Sequence, residues 1–385
     1  MSRTDFAPEE FAARRRAVGE AITAAGLDWL VAFHPVSIHW LTGSDAKSYQ
    51  EFQCLLVPAG DGPMTILTRE GEVAEFRDDS LVEDVVGWGG GVLEDPIPHF
   101  EAVARRRGLL GARVGIEVPA YYLHPHHYLA VRRVLGSSCV AEPTNLVHDL
   151  KLVKSPAELD HVRHASRLAD GAMAAFDAAL REGTTELALA GVVYGHLLAN
   201  GSGIAASPIN IVSGERSGFS HGAPTQRVLR RGDFGSVEFG ATYRRYTATI
   251  GRHFCIGQPT ARMCQLHDVV RRASDACIAA IRDGVRAVDA HDAARAVIVD
   301  AGLEAGRVHT SGYGLAPGFP PSWGEPLHML GGSDYVLRAG MVVTIEPPVF
   351  LGDERLGARI IDNVLVTADG AELLGKASRD MFVVP

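Results

Sequence analysis

The chain has 385 residues, 46% of them apolar, with 46 acidic against 37 basic residues for a formal net charge of −9. This length predicts two domains, each with its own core, and the acidic balance excludes the basic footprint that nucleic-acid binding requires. No stretch reaches the ~20 consecutive apolar residues of a membrane span, and Met1–Phe6 leads into no apolar signal region, so neither membrane insertion nor export is expected.

In chain order, Pro8–Ala25 carries Phe11, Ala12, Val18 and Ile22 at helical spacing and stops at Gly26. Asp28–Phe33, Cys54–Pro58 and Met64–Thr68 read as strands separated by Gly/Pro turns. Phe100–Gly108 and His127–Leu135 read as helices, followed by short β-like runs at Arg113–Val118 and Cys139–Ala141. Arg14–Arg16 and Arg105–Arg107 read as solvated parts of helices. His124–His127 reads as a surface cluster, since no carboxylates flank it at zinc-ligand spacing. This alternation predicts an α/β first domain over residues 1–150.

At the junction, Lys154-Ser155-Pro156-Ala157-Glu158 encodes a helix start: Ser155 caps, Pro156 suits the first position and Glu158 closes a capping box. Helices over Pro156–Glu182, Thr185–Asn200 and Ala261–Gly284 follow. They alternate with strands at Phe234–Phe239, Phe254–Ile256, Met341–Ile345 and Asn363–Thr367 in a second domain over residues 151–385. Cys54, Cys139, Cys255, Cys264 and Cys277 show no CxxC or CxxH spacing, which predicts reduced thiols in a cytoplasmic protein rather than disulfides or a zinc site.

Chemistry-bearing residues concentrate in Gly232–Gly257, His309–Gly318 and Gly340–Thr367. Val237-Glu238-Phe239-Gly240-Ala241 is followed by Thr249, eleven residues after Glu238, and then by His309-Thr310-Ser311-Gly312-Tyr313-Gly314, Glu346 and Ile361. This framework, with the Lys154–Glu158 junction, resembles the creatinase/aminopeptidase P or pita-bread family. The resemblance implies an α/β (α+β) fold, with an N-terminal creatinase-like α/β domain followed by a pita-bread catalytic domain of two αββ halves. In the metal-dependent members Asp, Asp, His, Glu and Glu hold two divalent ions. Carried onto this chain, those positions are Glu238, Thr249, Tyr313, Glu346 and Ile361. Thr, Tyr and Ile do not complete a two-metal site, so no metal and no cofactor are expected.

Glu238 and Glu346 then form a like-charged pair, which raises a pKa or demands a counter-cation. That cation is expected to be the substrate. Tyr243-Arg244-Arg245-Tyr246, and Ser311–Leu315 leading to Phe319-Pro320-Pro321-Ser322-Trp323-Gly324-Glu325, resemble the family's metal-free branch of creatinase and ectoine hydrolase. Thr247-Ala248-Thr249 and Gly251 depart from it: the first replaces a His-Cys-Pro type run, the second a guanidinium-binding Glu of creatinase. The resemblance implies a metal-independent hydrolase of a C–N bond in a small zwitterionic substrate, with an ectoine-like cyclic amidine as the leading guess. A metal-dependent Xaa-Pro dipeptidase and a non-catalytic binding protein are the alternatives.

Roles follow from residue chemistry and from the resemblance. His221, in Ser220-His221-Gly222-Ala223-Pro224-Thr225, is the expected proton carrier, because both states of an imidazole of pKa about 6.5 are accessible at neutral pH. Glu238 and Glu346 complete the expected catalytic set. His309 stands at the first His of the family's HxxxH segment, and Tyr313 offers a phenol where a metal would polarise a carbonyl. Trp323 offers an aromatic face for a cation. Asp45, Lys47 and Tyr49 sit on a first-domain loop that the resemblance carries into a partner's active site, implying a homodimer; at Lys47 a plain surface lysine is the alternative.

Overall fold

A computed structural model of the chain describes residues 3–118, 121–143 and 145–385, in two units, Met1–Lys151 and Leu152–Pro385. The first contains α1 (Pro8–Ala24), β1 (Trp29–Ala32), α2 (Pro35–Thr42), β2 (Cys54–Pro58), β3 (Thr65–Arg69), α3 (Val73–Asp79), β4 (Asp84–Trp88), α4 (Pro96–Arg107), β5 (Val114–Ile116), α5 (Pro125–Leu135), β6 (Cys139–Ala141) and α6 (Leu146–Lys151). Among the described residues its strands form a mixed sheet in the order β4-β3-β2-β1-β5-β6. Successive residues of a strand face opposite sides. Leu30, Leu55 and Ile66 therefore join one core with Val18 and Phe76, while Val31, Leu56 and Leu67 join another with Phe100. Burial on both faces makes these strands read as unbroken apolar runs.

One expectation in this unit fails. Arg14 is buried, donating to Trp40 O (3.0 Å) and Glu10 (3.1 Å) with its guanidinium 4.2 Å from the Phe6 ring. The helical period explains it: Arg14 falls between Phe11 and Val18 on the buried face of α1.

The second unit contains α7 (Pro156–Ala179), α8 (Glu186–Ala199), β7 (Asn210–Ser213), β8 (Phe234–Tyr243), β9 (Tyr246–Ile256), α9 (Ala261–Ala280), α10 (Ala287–Asp300), β10 (Tyr313–Phe319), β11 (Ser322–His328), β12 (Val342–Ile345), β13 (Val349–Leu351), β14 (Leu356–Ala358), β15 (Asp362–Val366), β16 (Ala371–Leu373) and β17 (Phe382–Val384). The capping box forms as expected, with Glu158 N donating to Ser155 Oγ (3.2 Å) and Ser155 N to the Glu158 carboxylate (2.8 Å). The main sheet runs β16-β15-β12-β10-β9-β8-β7 among the described residues, with β11 beside β10 and β17 beside β9. α7 and α8 pack on β8 and β9 around Phe176, Val193, Val237 and Phe254. α9 and α10 pack on β12 and β15 around Val270, Ala294, Val343 and Val364. These are the two helix-and-strand halves expected.

The sequence reading leaves out α10, because its buried face is largely alanine (Ala287, Ala290, Ala294) and gives a faint apolar stripe. It also leaves out β10 and β11, whose Gly and Pro residues break the strand pattern. All eleven residues of β9 are buried, Arg252 and His253 included, so only its last three residues read as a strand. The five cysteines are free thiols. No helix among the described residues is long and apolar enough to cross a membrane.

Candidate active site

The register of β8 against β9 sets Glu238 opposite Gly251 and Gly240 opposite Thr249. Opposed residues share a face, so each of these side chains stands beside a glycine, and neighbours fill the space. A Cβ on Gly251 would lie 2.7 Å from Ile361, and one on Gly240 2.8 Å from the Trp323 ring. On the adjoining strands Thr344 of β12 pairs with Asn363 of β15, and Glu346 follows the end of β12. Tyr313 opens β10, which bonds to β12 through Gly314 and Val343. His221 stands in the loop before β8 and His309 in the loop before β10.

Arg359 lies at the centre of this cluster. Its Nη2 donates to the Glu238 carboxylate and to Ser220 O (3.1 Å). Its Nη1 is buried and has no hydrogen-bond partner among the described residues. Three consecutive residues of β9 hold its segment. Gly251 and Ile361 exchange backbone bonds (3.1 and 3.2 Å), and Arg252 reaches Ile361 O and Asp362 (both 2.8 Å). His253 Nε2 accepts from Arg359 N (2.7 Å), which leaves the proton of this ring on Nδ1, 2.9 Å from His267 Nδ1. The positive charge that the carboxylate pair calls for is thus inside the chain, which corrects the expectation that the substrate supplies it.

Glu346 is buried, and its pKa is pushed up to about 8: burial raises it, Arg359 opposes the rise and Glu238 adds to it. At neutral pH it holds a proton. Thr344 Oγ1 donates to Glu346 Oε2, and His309 Nδ1 lies near Oε1, each at 3.4 Å. Burial, then Arg359 and His221, bring His309 down to about 4. The His221 ring is exposed by area, yet partial desolvation and then Arg359 lower its pKa as well. The His221 and His309 rings are 5.5 Å apart. Burial, reinforced by Glu346, keeps Tyr313 a neutral phenol whose oxygen accepts from Trp323 Nε1 (3.0 Å).

A cavity of about 650 Å³ opens beside the cluster, with Arg307, His309, Tyr313, Ser322, Trp323 and His328 in its lining. Trp323 is itself only 5% exposed, so little of its ring meets the cavity. The expected first-unit residues differ among themselves: Tyr49 is buried, Asp45 half-buried and Lys47 exposed, on the segment between α2 and β2. Arg359, Asn363, Arg307 and His328 are site residues that the sequence reading passes over. Arg359 had a signal, standing two residues before Ile361 in the same motif.

The two divalent ions that the resemblance implies do not fit these residues. Thr249 Oγ1 donates to Asn363 Oδ1 (3.0 Å), the Tyr313 phenol stays protonated, and Ile361 is an alkyl chain packed on Gly251. Among the described residues no group of three or more His, Cys, Asp or Glu side chains is arranged to hold a metal ion.

Comparison with known proteins supplies the family. Residues 160–368 match the metallopeptidase family M24 and residues 14–153 the creatinase/prolidase N-terminal domain. The chain is 33% identical to a "Probable dipeptidase PepE" of Mycobacterium tuberculosis over 98% of its own length and 97% of the relative. It is 29% identical to an "Xaa-Pro dipeptidase" of Pyrococcus furiosus over 62% of this chain and 67% of that one. The crystal structure of dipeptidase PepE from Mycobacterium ulcerans superposes with a TM-score of 0.86 at 30% identity, covering 99% of each chain. An Xaa-Pro dipeptidase structure from Bacillus anthracis, at TM-score 0.84 and 22% identity over 97% of this chain and all of that one, shares the fold. These findings overturn the reading as a hydrolase of a small zwitterion such as an ectoine-like cyclic amidine and favour the dipeptidase alternative. The local matches that suggested it, Tyr243–Tyr246 and Phe319–Glu325, are short, whereas the likeness to a dipeptidase runs the length of the chain. The chain is a hydrolase of carbon–nitrogen bonds with a creatinase-like first domain and a pita-bread second domain, and it belongs to metallopeptidase family M24.

Proposed function

We propose that the chain hydrolyses dipeptides, with the bond preceding a proline as the leading target. The observation that supports this most directly is that His309 and Tyr313 belong both to the cavity lining and to the cluster around Glu346. A ligand in the cavity therefore meets buried polar groups without leaving it. The volume of about 650 Å³ falls within the ~300–1,000 Å³ of small-molecule sites, and the relatives of similar length carry dipeptidase names.

The residues present take the following parts. His221 is neutral at neutral pH, since desolvation and Arg359 lower its pKa, and it accepts a proton from the attacking water. The water oxygen bonds to the scissile carbonyl carbon, whose oxygen gains charge on the side of Arg359. As the carbon–nitrogen bond breaks, the departing nitrogen receives a proton from the carboxylic acid of Glu346, and His221 returns its proton to Glu346 through solvent. No step is derived through a metal ion, because the donor set does not fit one. The same reading includes cytoplasmic residence and a homodimer in which the Asp45, Lys47 and Tyr49 loop meets a partner's site; sedimentation as a monomer at micromolar concentration would remove the dimer from it.

The test is amino-acid release from alanyl-proline, glycyl-proline and two dipeptides without proline, with chelator and with added Mn²⁺. Release of free proline is expected. No release from any of the four under either condition rules the reading out.

A further inference from the structure

We infer that the positions at which this chain departs from the two-metal pattern have been refilled, that Arg359 is the resident cation of the site, and that the chain therefore binds no pair of divalent ions but presents Arg359 Nη1 to an oxygen of its organic ligand. The inference rests on the dipeptide reading only for the identity of that ligand.

Each departure is accompanied by a partner that closes the space. Thr249 is clamped by Asn363, which accepts from both its backbone N and its hydroxyl (3.0 Å each) and donates to its carbonyl. The hydroxyl also lies 3.4 Å from Thr344 Oγ1, so its one proton is taken up within the sheet. Tyr313 accepts the indole N–H of Trp323, whose ring lies where a side chain at Gly240 would stand. Ile361 is fully buried against Gly251. Simple loss of ligands would leave voids or unpaired groups. Here two of the three positions carry new hydrogen bonds and the third an alkyl contact, so a pair of ions would have to break packing as well as find donors.

The charges of the site point the same way. Glu238 is paired with Arg359, whose backbone N–H is held by His253 and whose segment is held at Ile361 by Gly251 and Arg252. One guanidinium nitrogen is then left buried and without an acceptor among the described residues. A buried guanidinium N–H without a partner is costly, and the acceptor that suits it is an oxygen bearing negative charge or acquiring it. A dipeptide offers two such oxygens, the scissile carbonyl and the terminal carboxylate.

The experiment has two arms. In the first, purified full-length protein is stripped with EDTA and dialysed to equilibrium against Mn²⁺, Co²⁺ or Zn²⁺, and bound metal is counted by elemental analysis. Well under one ion per chain is expected; two ions per chain bound at micromolar concentration overturns the inference. Glu238→Asp/Thr249→Asp/Tyr313→His/Ile361→Glu, which restores the ligand set, should be destabilised without metal and gain in melting temperature when Mn²⁺ is added. In the second arm, calorimetry measures alanyl-proline binding with EDTA present. Arg359→Met should weaken it roughly 10-fold to 100-fold, the range of a charge-assisted hydrogen bond. If that variant does not fold, Arg359→Lys, which keeps the charge without the fork, should show a smaller loss. Unchanged affinity in whichever variant folds overturns the ligand clause. The dipeptide reading fails separately: absence of proline release leaves the metal count of the native chain to decide the site.

Discussion

Glu346→Gln tests the charge state on which the cluster depends. The side chain is 1% exposed and keeps its proton up to about pH 8, against an ordinary value of 4.5. The folded pKa is the higher of the two, so the native chain binds the additional proton. Stability from this group is complete below the unfolded value of 4.5, falls as pH rises, and reaches its lowest level above about 8. Within that window the slope approaches about 1.4 kcal/mol per pH unit, so the whole effect is about 5 kcal/mol, of which about 3 kcal/mol falls between pH 5.5 and pH 9. Glutamine has the shape of the protonated acid and does not ionise. Urea unfolding at those two pH values should therefore show the native chain losing about 3 kcal/mol more than the variant. Equal losses in the two proteins would mean that Glu346 is already ionised in the acidic buffer, and the proton assigned to it would have to be withdrawn.

His221→Ala should lower turnover on the best dipeptide by roughly 10²–10⁴, the range for losing a general base, with the melting temperature unmoved because the ring is exposed; full activity would leave His221 without a role. Tyr313→Phe leaves the buried Trp323 indole N–H without its acceptor and should cost about 1–3 kcal/mol in urea unfolding; an unchanged midpoint would show that the pair contributes nothing. The pH profile of kcat/KM should be a bell. As pH falls, activity is lost where His221 gains its proton, below the ordinary imidazole value of 6.5. As pH rises, activity is lost near 8, where Glu346 gives its proton up. An acidic limb above 6.5 would contradict the lowering of His221.

Several elements were legible because one local signal sufficed. The start of α7 is encoded within Ser155–Glu158, and the inner strands of the first unit are apolar runs bounded by turns. β9 was legible only at its end, since its middle carries Arg252 and His253, and nothing local tells that distant segments of the chain will bury them. Partners such as Asp362 and the backbone of Ile361 and Arg359 are over a hundred residues away. The same holds for Thr249. Its type excluded a metal ligand at sight, yet its clamp by Asn363 depends on the pairing of separate strands. Residue type thus reveals what a position cannot do, while what it does instead depends on long-range register.

Arg359 shows why the charge of this site was misassigned. Reading the motif position by position asks whether each residue is a ligand, and an arginine never is, so it drops out although Ile361 beside it is weighed. Electroneutrality gives the better question. A buried carboxylate with no partner costs several kcal/mol, and the chain has to fold before any substrate arrives. A cation supplied only by substrate would leave the empty site destabilised by that amount throughout its life. Two buried glutamates in one pocket therefore imply either an internal cation or a held proton, and this site has both: Arg359 on Glu238 and a proton on Glu346. With those two charges settled inside the chain, the cluster is close to neutral at pH 7. It then has little reason to select a cationic ligand, and its unpaired donor, Arg359 Nη1, favours the carbonyl or carboxylate oxygen of a peptide.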